Sequence, residues 1–375
     1  MGYENKSLWE RERGQFPVTQ SLIYLNHAAV APLVKTASEA MIHLSDDACR
    51  FGSFHYDTWL AAYEGLRLGA ARLINAQRDE IAIVKNTSEG IATVALGIDW
   101  KPGDAMVCFR EEFPANYYPW MKLAGRGVDI RWLSIHDELD AIDRAATGAR
   151  LLAVSYVNYL TGYRVDLEAI GEICHRRGCF YFVDAIQGLG AYPLDVRAAR
   201  IHALSADGHK WLLGPEGCGI LYVQKDVQEA VEPVEFGWTN VAAYADYASR
   251  DMTLRPDAGR YECGTLNTVG IFGLRASIEY LNQTGIANIT PAVDSLAAQI
   301  AESVTAKGYE LAARRSAAHG SGIVSFRKEG IDSRVIVKTL REAGIITAPR
   351  QGWVRTSPHF YVSPGEVARM IDLIP

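Results

Sequence analysis

The chain has 375 residues, more than a single hydrophobic core usually supports, so two domains are predicted. Hydrophobic residues make up 49% of the chain and charged residues 22%, and the formal net charge is -6. This balance is typical of a globular protein and disfavours a nucleic-acid partner, which usually requires a basic patch. No run of about 18 apolar residues occurs, so neither a transmembrane helix nor a membrane partner is expected.

The beginning of the chain, MGYENKSLWERERGQF, is polar and mixed in charge, so it does not resemble a secretory signal. The six cysteines form no CxxC pair, and most stand in apolar runs. This usage indicates reduced thiols in a cytoplasmic protein. No Cys/His pair has zinc-finger spacing, and no metal site is expected.

The middle of the chain alternates short apolar runs with helical periodicity. Strands are predicted at 81–84, 105–109, 151–157, 179–183 and 219–223, and a helix at 166–177. Such alternation predicts an α/β fold with a mostly parallel sheet. Ligands of these sheets bind at the carboxyl ends of the strands, so residues that follow the strands are the candidates for a site.

The last part of the chain has a different pattern. It predicts a strand at 322–326, a helix at 333–342, a strand at 345–347 and a final helix that begins with a capping box at Ser363, Pro364 and Glu366. These elements predict a smaller α+β domain, with the domain boundary near residues 284–291.

The segment KNTSEG (residues 85–90) follows a predicted strand and precedes a helical run. A helix N-terminus offers free N–H groups and the positive end of the helix dipole, which suits a phosphate. Thr87 and Ser88 add hydroxyl donors. Ordinary helix capping is the alternative explanation for both residues.

The segment FYFVDAIQGL (180–189) places Asp184 at the end of an apolar strand. A buried aspartate is costly unless it meets a cation, and the protonated pyridine nitrogen of pyridoxal phosphate (PLP) is such a partner. Gln187 could donate to the phenolic oxygen of the same cofactor. The alternatives are a helix N-cap for Asp184 and a capping box that ends at Gln187.

The segment SADGHKWLLGPEGCG (205–219) contains Lys210 between apolar runs. A desolvated lysine has a lowered pKa and can form a Schiff base with an aldehyde. A surface lysine after a turn is the alternative. A phosphate site, an aspartate and a lysine follow one another along the chain. This order favours a PLP enzyme more strongly than any one of the three features does alone.

Seven segments carry a resemblance to a known family: YLNHAAVAPL (24–33), NTSEG (86–90), EEFPANYYPW (111–120), VDAIQGLG (183–190), DGHKWLLGPEG (207–217), YECGTLN (261–267) and VRTSPHFY (354–361). Together they resemble the aminotransferase class V family of PLP-dependent enzymes, which includes cysteine desulfurases, selenocysteine lyases, isopenicillin N epimerases and kynureninases. The resemblance covers most of the chain.

The resemblance implies PLP fold type I. A large α/β domain at 21–285 would contain a mostly parallel, seven-stranded-type sheet, and residues 1–20 and 286–375 would form the small α+β domain. It also implies a homodimer with active sites at the subunit interface and a small-molecule amino acid as substrate.

The same resemblance implies residue roles. Lys210 would be the catalytic lysine, Asp184 and Gln187 would bind the cofactor ring, and Phe113 would stack on that ring. The phosphate would be bound by Thr87, Ser88 and His209, and by Thr265 from the second subunit. Arg355 would bind the substrate carboxylate, with Asn26, His27 and Asn158 nearby. Core packing remains an alternative for Phe113, a surface strand for Arg355 and a structural role for His27.

The chain departs from the desulfurase pattern at three places. The segment IITAPRQGWVRTS (345–357) contains no cysteine, whereas desulfurases need a thiolate there to accept sulfur. Phe113 stands where desulfurases usually have a histidine, which leaves Lys210 as the acid/base group. Asp207 stands where desulfurases often have a phosphate-binding serine. Cys263 is interpreted as structural.

The preferred hypothesis is a lyase that cleaves a bond at the β-carbon of an amino acid, of the carbon–sulfur type. An aminotransferase or epimerase of the same family is the alternative, and the nature of the product distinguishes them. A catalytically silent scaffold is a third hypothesis, which the joint presence of Lys210, Asp184 and Arg355 disfavours.

Overall fold

The computed structural model describes residues 6–375. Residues 1–5, which belong to the predicted small domain, lie outside the described residues. The helices of the described part are α1 (Leu8–Glu12), α2 (Lys35–Phe51), α3 (Tyr56–Ile74), α4 (Thr87–Gly97), α5 (Tyr118–Met121), α6 (Leu139–Ala146), α7 (Leu167–Arg177), α8 (Thr268–Thr284), α9 (Ile286–Ala306), α10 (Ser333–Glu342) and α11 (Pro364–Leu373).

The strands are β1 (Ile23–Tyr24), β2 (Ile81–Val84), β3 (Ala105–Phe109), β4 (Asp129–Leu133), β5 (Leu151–Ser155), β6 (Phe180–Asp184), β7 (Ala203–Asp207), β8 (Gly219–Val223), β9 (Glu310–Leu311), β10 (Val324–Arg327), β11 (Ile345–Ile346), β12 (Ala348–Arg350) and β13 (Trp353–Thr356). The predicted strands at 81–84, 105–109 and 219–223 are confirmed with the same bounds. The strands predicted at 151–157 and 179–183 are confirmed with shifted ends, and β4 and β7 had not been predicted.

The large sheet has seven strands in the order β2-β8-β7-β6-β5-β3-β4. Strands β7, β6, β5, β3 and β4 pair in parallel, whereas β8 is antiparallel to both of its neighbours, β2 and β7. The predicted α/β fold with a mostly parallel sheet is confirmed. Strands β2, β6 and β7 therefore end at the same edge of the sheet.

Helices cover the large sheet on both sides, which explains why its inner strands are apolar throughout. Strands β3, β5, β7 and β8 are buried at every position. Helix α4 packs closely on β7 because Gly90 has no side chain: a Cβ atom there would lie 2.2 Å from Oγ of Ser205. This close approach brings the N-terminus of α4 to the carboxyl end of β7.

The second sheet has four strands in the order β12-β13-β10-β9. Helix α10 has the predicted bounds, and α11 begins with the predicted capping box, in which Ser363 accepts from the N–H of Glu366 at 3.2 Å. The chain turns at Gly285 between α8 and α9. The division into domains at residue 285 stays a prediction.

The N-terminal segment contacts the C-terminal part of the chain. Arg13 donates two hydrogen bonds of 2.8 Å to the carboxylate of Glu366, and Phe16 stacks on Tyr361 with ring centroids 3.7 Å apart. Strand β1 pairs in parallel with β11. Among residues 6–375, no helix combines the length and the apolar character that crossing a membrane requires.

Candidate active site

A cavity of about 430 Å³ opens at the carboxyl ends of β2, β6 and β7. Eight of the residues predicted for the site line it: Thr87, Ser88, Phe113, Asp184, Gln187, His209, Lys210 and Arg355. The cavity is also lined by Tyr159, Asp207, Arg350 and the backbone around Ala28. The fold therefore joins segments that are far apart in the sequence, as the strand-end rule predicted.

Lys210 lies in a tight loop after β7. The N–H of Gly214 donates to the carbonyl of Gly208 at 2.8 Å, and the N–H of Ala31 donates to the carbonyl of His209 at 2.7 Å. Lys210 is only 9% exposed. Burial lowers the pKa of its amine to about 8, while Asp184 opposes and Arg355 reinforces this shift. Near neutral pH a usable fraction of the amine is therefore in its nucleophilic form.

Asp184 is the last residue of β6 and is 3% exposed. Its Oδ1 accepts a 3.0 Å hydrogen bond from the N–H of Ile186. Burial raises the pKa of Asp184 to about 6, although this hydrogen bond and the charge of Lys210 both lower it. A buried carboxyl of this kind favours a cationic ligand, because a positive charge would stabilise its ionised form.

Gln187 is oriented by two hydrogen bonds. The indole Nε1 of Trp211 donates to its Oε1 at 3.0 Å, and its Nε2 donates to the carbonyl of Ala28 at 3.0 Å. An indole N–H can only donate, which fixes the amide oxygen on the Trp211 side. Nε2 keeps a second hydrogen that a ligand oxygen can accept.

The N-terminus of α4 faces the same cavity. Asn86 caps this helix by accepting from the N–H of Glu89 at 2.9 Å, so the N–H groups of Thr87 and Ser88 have no partner within the helix. The hydroxyl of Thr87 accepts from the N–H of Asp207 at 2.9 Å and can still donate its own proton. These groups form a site suited to an anion such as phosphate.

His209 and Asp207 stand beside this helix terminus. Nδ1 of His209 lies 3.2 Å from Oδ2 of Asp207, but the two atoms lack hydrogen-bond geometry, since Nδ1 has no partner. Oδ1 of Asp207 is also buried without a partner. The structure thus places an acidic side chain at the anion-binding end of the cavity, next to a histidine to which it is not hydrogen-bonded.

Phe113 and Tyr159 form an aromatic wall. Their rings meet edge to face with centroids 5.2 Å apart, and Nζ of Lys210 lies 5.6 Å from the centroid of Phe113. Phe113 is 44% exposed, so its face is accessible to a planar ligand. Plain core packing does not account for a phenylalanine in this position.

Arg355 is buried, with 2% exposure. Its Nη1 donates to the carbonyl of Tyr159 at 2.7 Å, while Nε and Nη2 have no partner. Burial lowers the pKa of Arg355 to about 10, and the charge of Arg350 lowers it further. Two unused donors of a buried guanidinium match the two oxygens of a carboxylate.

Four predicted site residues do not line this cavity. His27 is fully buried, lies 2.8 Å from the carbonyl of Ser357 and 2.7 Å from the hydroxyl of Tyr361, and burial lowers its pKa to about 4. Asn26 pairs with Ser357 through a backbone bridge. Asn158 is occupied by hydrogen bonds that shape the loop before Tyr159. Thr265 lines an adjacent cavity of about 240 Å³.

Two further residues near the site were not predicted. Arg350 lines the cavity from β12, and no local sequence signal pointed to it, because its position depends on the pairing of β12 with β13. Glu112 is buried and accepts from the N–H of Ser155 at 2.6 Å. Burial raises the pKa of Glu112 to about 7, an effect that Asp184 reinforces.

Within the described residues, no cysteine lines the cavity of Lys210. The segment 345–357 forms the short strands β11 to β13 and holds no thiol. Cys263 lines the adjacent cavity with Thr265, and its Sγ lies 3.5 Å from Oε2 of Glu235. Burial and this carboxylate raise the pKa of Cys263, which opposes thiolate formation.

Comparisons with known proteins agree with this architecture. The model of the family "Aminotransferase class-V" matches residues 23–354. A probable cysteine desulfurase from Methanothermobacter thermautotrophicus is 32% identical over 96% of this chain and 95% of its own length. An uncharacterized aminotransferase from Bacillus subtilis is 28% identical over 97% of both chains.

Solved structures agree as well. The apo cysteine desulfurase from Thermococcus onnurineus NA1 superposes with a TM-score of 0.89 at 26% identity, covering 97% of this chain and 96% of that one. The cystine C–S lyase C-DES, in complex with cysteine persulfide, has a TM-score of 0.89 at 23% identity, covering 96% and 100%. The second likeness concerns the fold alone.

Sheet and cavity together define a PLP-dependent enzyme of fold type I. The chain belongs to the aminotransferase class V family, as its seven sequence segments predicted. Its cofactor is pyridoxal 5′-phosphate and its substrate is an amino acid. The donor set fits this cofactor: an amine for the aldehyde, a carboxyl for the ring nitrogen, an aromatic face for the ring and a helix N-terminus for the phosphate.

Proposed function

We propose that the protein is a lyase that cleaves a carbon–sulfur bond at the β-carbon of an amino acid without an enzyme-bound persulfide. The observation that carries this proposal is the content of the cavity: the buried amine of Lys210 and the unpaired guanidinium of Arg355 lie together, and no thiol accompanies them in the described residues. Relatives of this chain are described as probable cysteine desulfurases, which supports sulfur in the substrate.

The cofactor would be held by residues at three strand ends. Lys210 would bond to its aldehyde, Asp184 would pair with its ring nitrogen, and Gln187 would donate from Nε2 to its ring oxygen. Phe113 would cover one face of the ring. When bound, the cofactor supplies an electron sink for the bonds at the α-carbon.

The phosphate would lie at the N-terminus of α4. The N–H groups of Thr87 and Ser88 and their hydroxyls would donate to it, and His209 would add a third side chain. Thr265 would reach the phosphate of the other subunit. The free N–H groups in the first turn and the dipole of an 11-residue helix support this placement.

Arg355 would bind the substrate α-carboxylate through Nε and Nη2, its two unused donors. Because Tyr159 holds Nη1, the guanidinium is oriented before the substrate arrives, which reduces the entropy lost on binding. Lys210 would then take the α-proton on Nζ. A pKa near 8 allows this amine both to accept and to return a proton near neutral pH.

The fate of sulfur distinguishes this proposal from the desulfurase reaction. A substrate R–S–CH2–CH(NH3+)–COO− and one water would give R–SH, pyruvate and ammonium. The electron pair of the carbon–sulfur bond would leave with sulfur, and the α-proton removed by Lys210 would be returned. No cysteine of the enzyme is oxidised or modified in this scheme.

The test begins with the visible spectrum of the purified protein. Wild-type protein should show a cofactor band that borohydride fixes covalently to the chain, whereas Lys210→Ala should lose the cofactor on gel filtration after the same treatment. Pyruvate, ammonia and thiol are then measured with S-substituted cysteines. A protein that stays colourless with added PLP, or that binds it and releases none of these products, would contradict the proposal.

Aminotransfer is the second candidate, because a relative from Bacillus subtilis is described as an aminotransferase. It predicts a keto acid that retains the side chain, together with conversion of the cofactor to its amine form. Epimerisation predicts an inverted substrate and no cleavage. Product analysis by chiral chromatography and mass spectrometry separates the three reactions in one experiment.

A homodimer in the cytoplasm is part of the same proposal. Phe51, Phe54, Tyr56 and Leu60 form an exposed apolar surface around the start of α3, with exposures of 54%, 82%, 44% and 45%. Exposed apolar surface of this extent is typical of an interface. All six cysteines are free, which agrees with a reducing compartment.

A further inference from the structure

Strands β12 and β13 form a hairpin that brings two arginines to the same cavity. Ala348 lies opposite Arg355, and Arg350 lies opposite Trp353. Because side chains alternate between the faces of a strand, Arg350 shares a face with Ala348 and therefore with Arg355. Diagonal neighbours of this kind are about 7 to 8 Å apart. Both arginines line the cavity that contains Lys210.

The protein neutralises neither guanidinium. Arg355 keeps two free donors, and the one hydrogen bond of the Arg350 side chain goes from Nη1 to the carbonyl of Pro349 at 3.1 Å. Among residues 6–375, neither arginine takes part in an ion pair. The charge of Arg350 nevertheless reaches the site, because it lowers the pKa of both Lys210 and Arg355.

The acidic groups of the cavity do not form ion pairs with either arginine. Asp184 lies at the end of β6 and interacts with Lys210, and Asp207 lies beside His209. The substrate α-carboxylate would satisfy Arg355 alone. The half-buried guanidinium of Arg350 would then remain unpaired in the cavity, and a second anion would stabilise it.

We infer that the substrate carries a second anionic group on its side chain and that Arg350 binds it. This inference rests on the proposed function and narrows its substrate to amino acids with a carboxylate, or an equivalent oxyanion, a few bonds beyond the β-carbon. Arg355 and Arg350 then bind the two anionic ends of one substrate molecule, and Lys210 removes the α-proton between them.

The hairpin fixes the spacing of the two arginines. Nε2 of Gln351, at the turn, donates to the hydroxyl of Tyr159 at 2.8 Å, and Arg355 donates to the carbonyl of the same residue. Gln351 and Gly352 adopt positive φ values of 48° and 84°, which makes the turn tight. A fixed spacing selects substrates by the length of their side chain.

The test uses three matched S-substituted cysteines. S-carboxymethyl-L-cysteine carries the second anion, S-carbamoylmethyl-L-cysteine has the same size without the charge, and S-methyl-L-cysteine lacks the group. Dissociation constants are measured from the change in the cofactor spectrum, and kcat and KM from thiol release. Wild-type protein should bind the carboxymethyl compound about 10-fold or more tightly than the carbamoylmethyl compound, as expected for one charge-assisted hydrogen-bonded contact.

Arg350→Gln should remove this preference. Its dissociation constant and KM for the carboxymethyl compound should rise about 10-fold, whereas kcat and the binding of the carbamoylmethyl compound should change less than about 2-fold. Arg350→Lys should retain part of the preference, because it keeps the charge but loses the two-pronged geometry. Arg334→Gln, at an exposed position of α10, is the control variant. Circular dichroism and cofactor content verify folding.

Equal binding of the charged and neutral compounds by wild-type protein would overturn the inference and leave the proposed function standing. An equal loss for both compounds in Arg350→Gln would do the same, because it would place Arg350 on the α-carboxylate or in the scaffold. If none of the three compounds changes the spectrum of the PLP-loaded protein, both the inference and the proposed function fail.

Discussion

Nη1 of Arg355 donates a 2.7 Å hydrogen bond to the carbonyl oxygen of Tyr159, and this contact orients the guanidinium while Nε and Nη2 stay without partners. A buried cation with two unused donors costs free energy that a bound anion would offset. The contact therefore links the substrate-binding strand β13 to the aromatic wall of the cavity and prepares Arg355 for a carboxylate.

Arg355→Gln should lower kcat/KM for the amino-acid substrate by about 100-fold or more, because hydrogen bonds to charged groups contribute about 1.5 to 3 kcal/mol each. The affinity for PLP itself should stay within a few-fold. Steady-state kinetics and cofactor titration provide the two values. A variant that loses PLP and substrate affinity in parallel would argue that Arg355 supports the fold instead.

Asp184→Asn should weaken PLP binding and reduce kcat by about 100-fold or more, because the amide keeps the size of the side chain but cannot stabilise a cationic ring nitrogen. The measurement is the dissociation constant of PLP by absorbance, together with kcat at saturating cofactor. Asp251→Asn, in an exposed loop, is the control. An unchanged kcat in Asp184→Asn would show that Asp184 does not pair with the ring nitrogen.

Glu112→Gln should change how stability depends on pH. Burial raises the pKa of Glu112 from 4.5 to about 7, so the native state binds more protons than the unfolded state between these values. The free energy of unfolding contributed by this group is therefore lost as pH rises through that window. Between pH 5 and pH 8, the free energy of unfolding of the variant should therefore rise relative to that of wild type by roughly 2 to 3 kcal/mol.

Urea unfolding of both proteins at pH 5, 6.5 and 8 measures this difference. Glu342→Gln, at an exposed position of α10, should show no such trend. Parallel curves for wild type and Glu112→Gln would mean that folding does not raise the pKa of Glu112.

Lys210→Met should stabilise the apoprotein at neutral pH. Burial lowers the pKa of Lys210 from 10.5 to about 8, so the native state binds fewer protons than the unfolded state between these values, and wild-type stability rises with pH through that window. At pH 7 the variant should be more stable by roughly 3 kcal/mol, and the gap should narrow by pH 9.5. Denaturant unfolding of cofactor-free proteins checks this. A gap that is constant with pH would contradict it.

Phe54→Asp should convert a dimer into a monomer, because a charge in the centre of an apolar contact is costly to bury. One chain has a mass of 41.3 kDa, and analytical ultracentrifugation of wild-type protein should give twice this mass. Leu139→Asp, at another exposed apolar position, on α6, should leave the mass unchanged. A monomeric wild-type protein would contradict the homodimer and the role of Thr265 across the interface.

The sequence allowed prediction of the parts of the site that obey local rules. Asp184 and Lys210 were found because a charged residue at the end of an apolar strand needs a partner, and Thr87 and Ser88 because a helix follows a strand there. The strands 105–109 and 219–223 were found from their apolar runs. Each of these signals lies within about ten residues of the chain.

Other features depend on tertiary pairing and left no local signal. Strand β7, an inner strand of the large sheet, was not predicted, although its last residues belong to the segment that contains Lys210. Arg350 reaches the cavity only because the register of β12 with β13 places it on the face of Arg355. His27 was predicted near the substrate, yet its position was decided by Ser357 and Tyr361, more than 300 residues away.

Strand β8 lies between β2 and β7 and is the only neighbour of β2 in the large sheet. The hydrogen bond from the N–H of Asp207 to Thr87 joins positions 120 residues apart. Strand β2 finds its partner strand only after β8 (Gly219–Val223) has been synthesised, although α4 contacts β7 directly. The edge of the sheet that carries the N-terminus of α4 is therefore completed by a strand that lies beyond Lys210 in the chain, and we expect the phosphate end of the site to form late in folding.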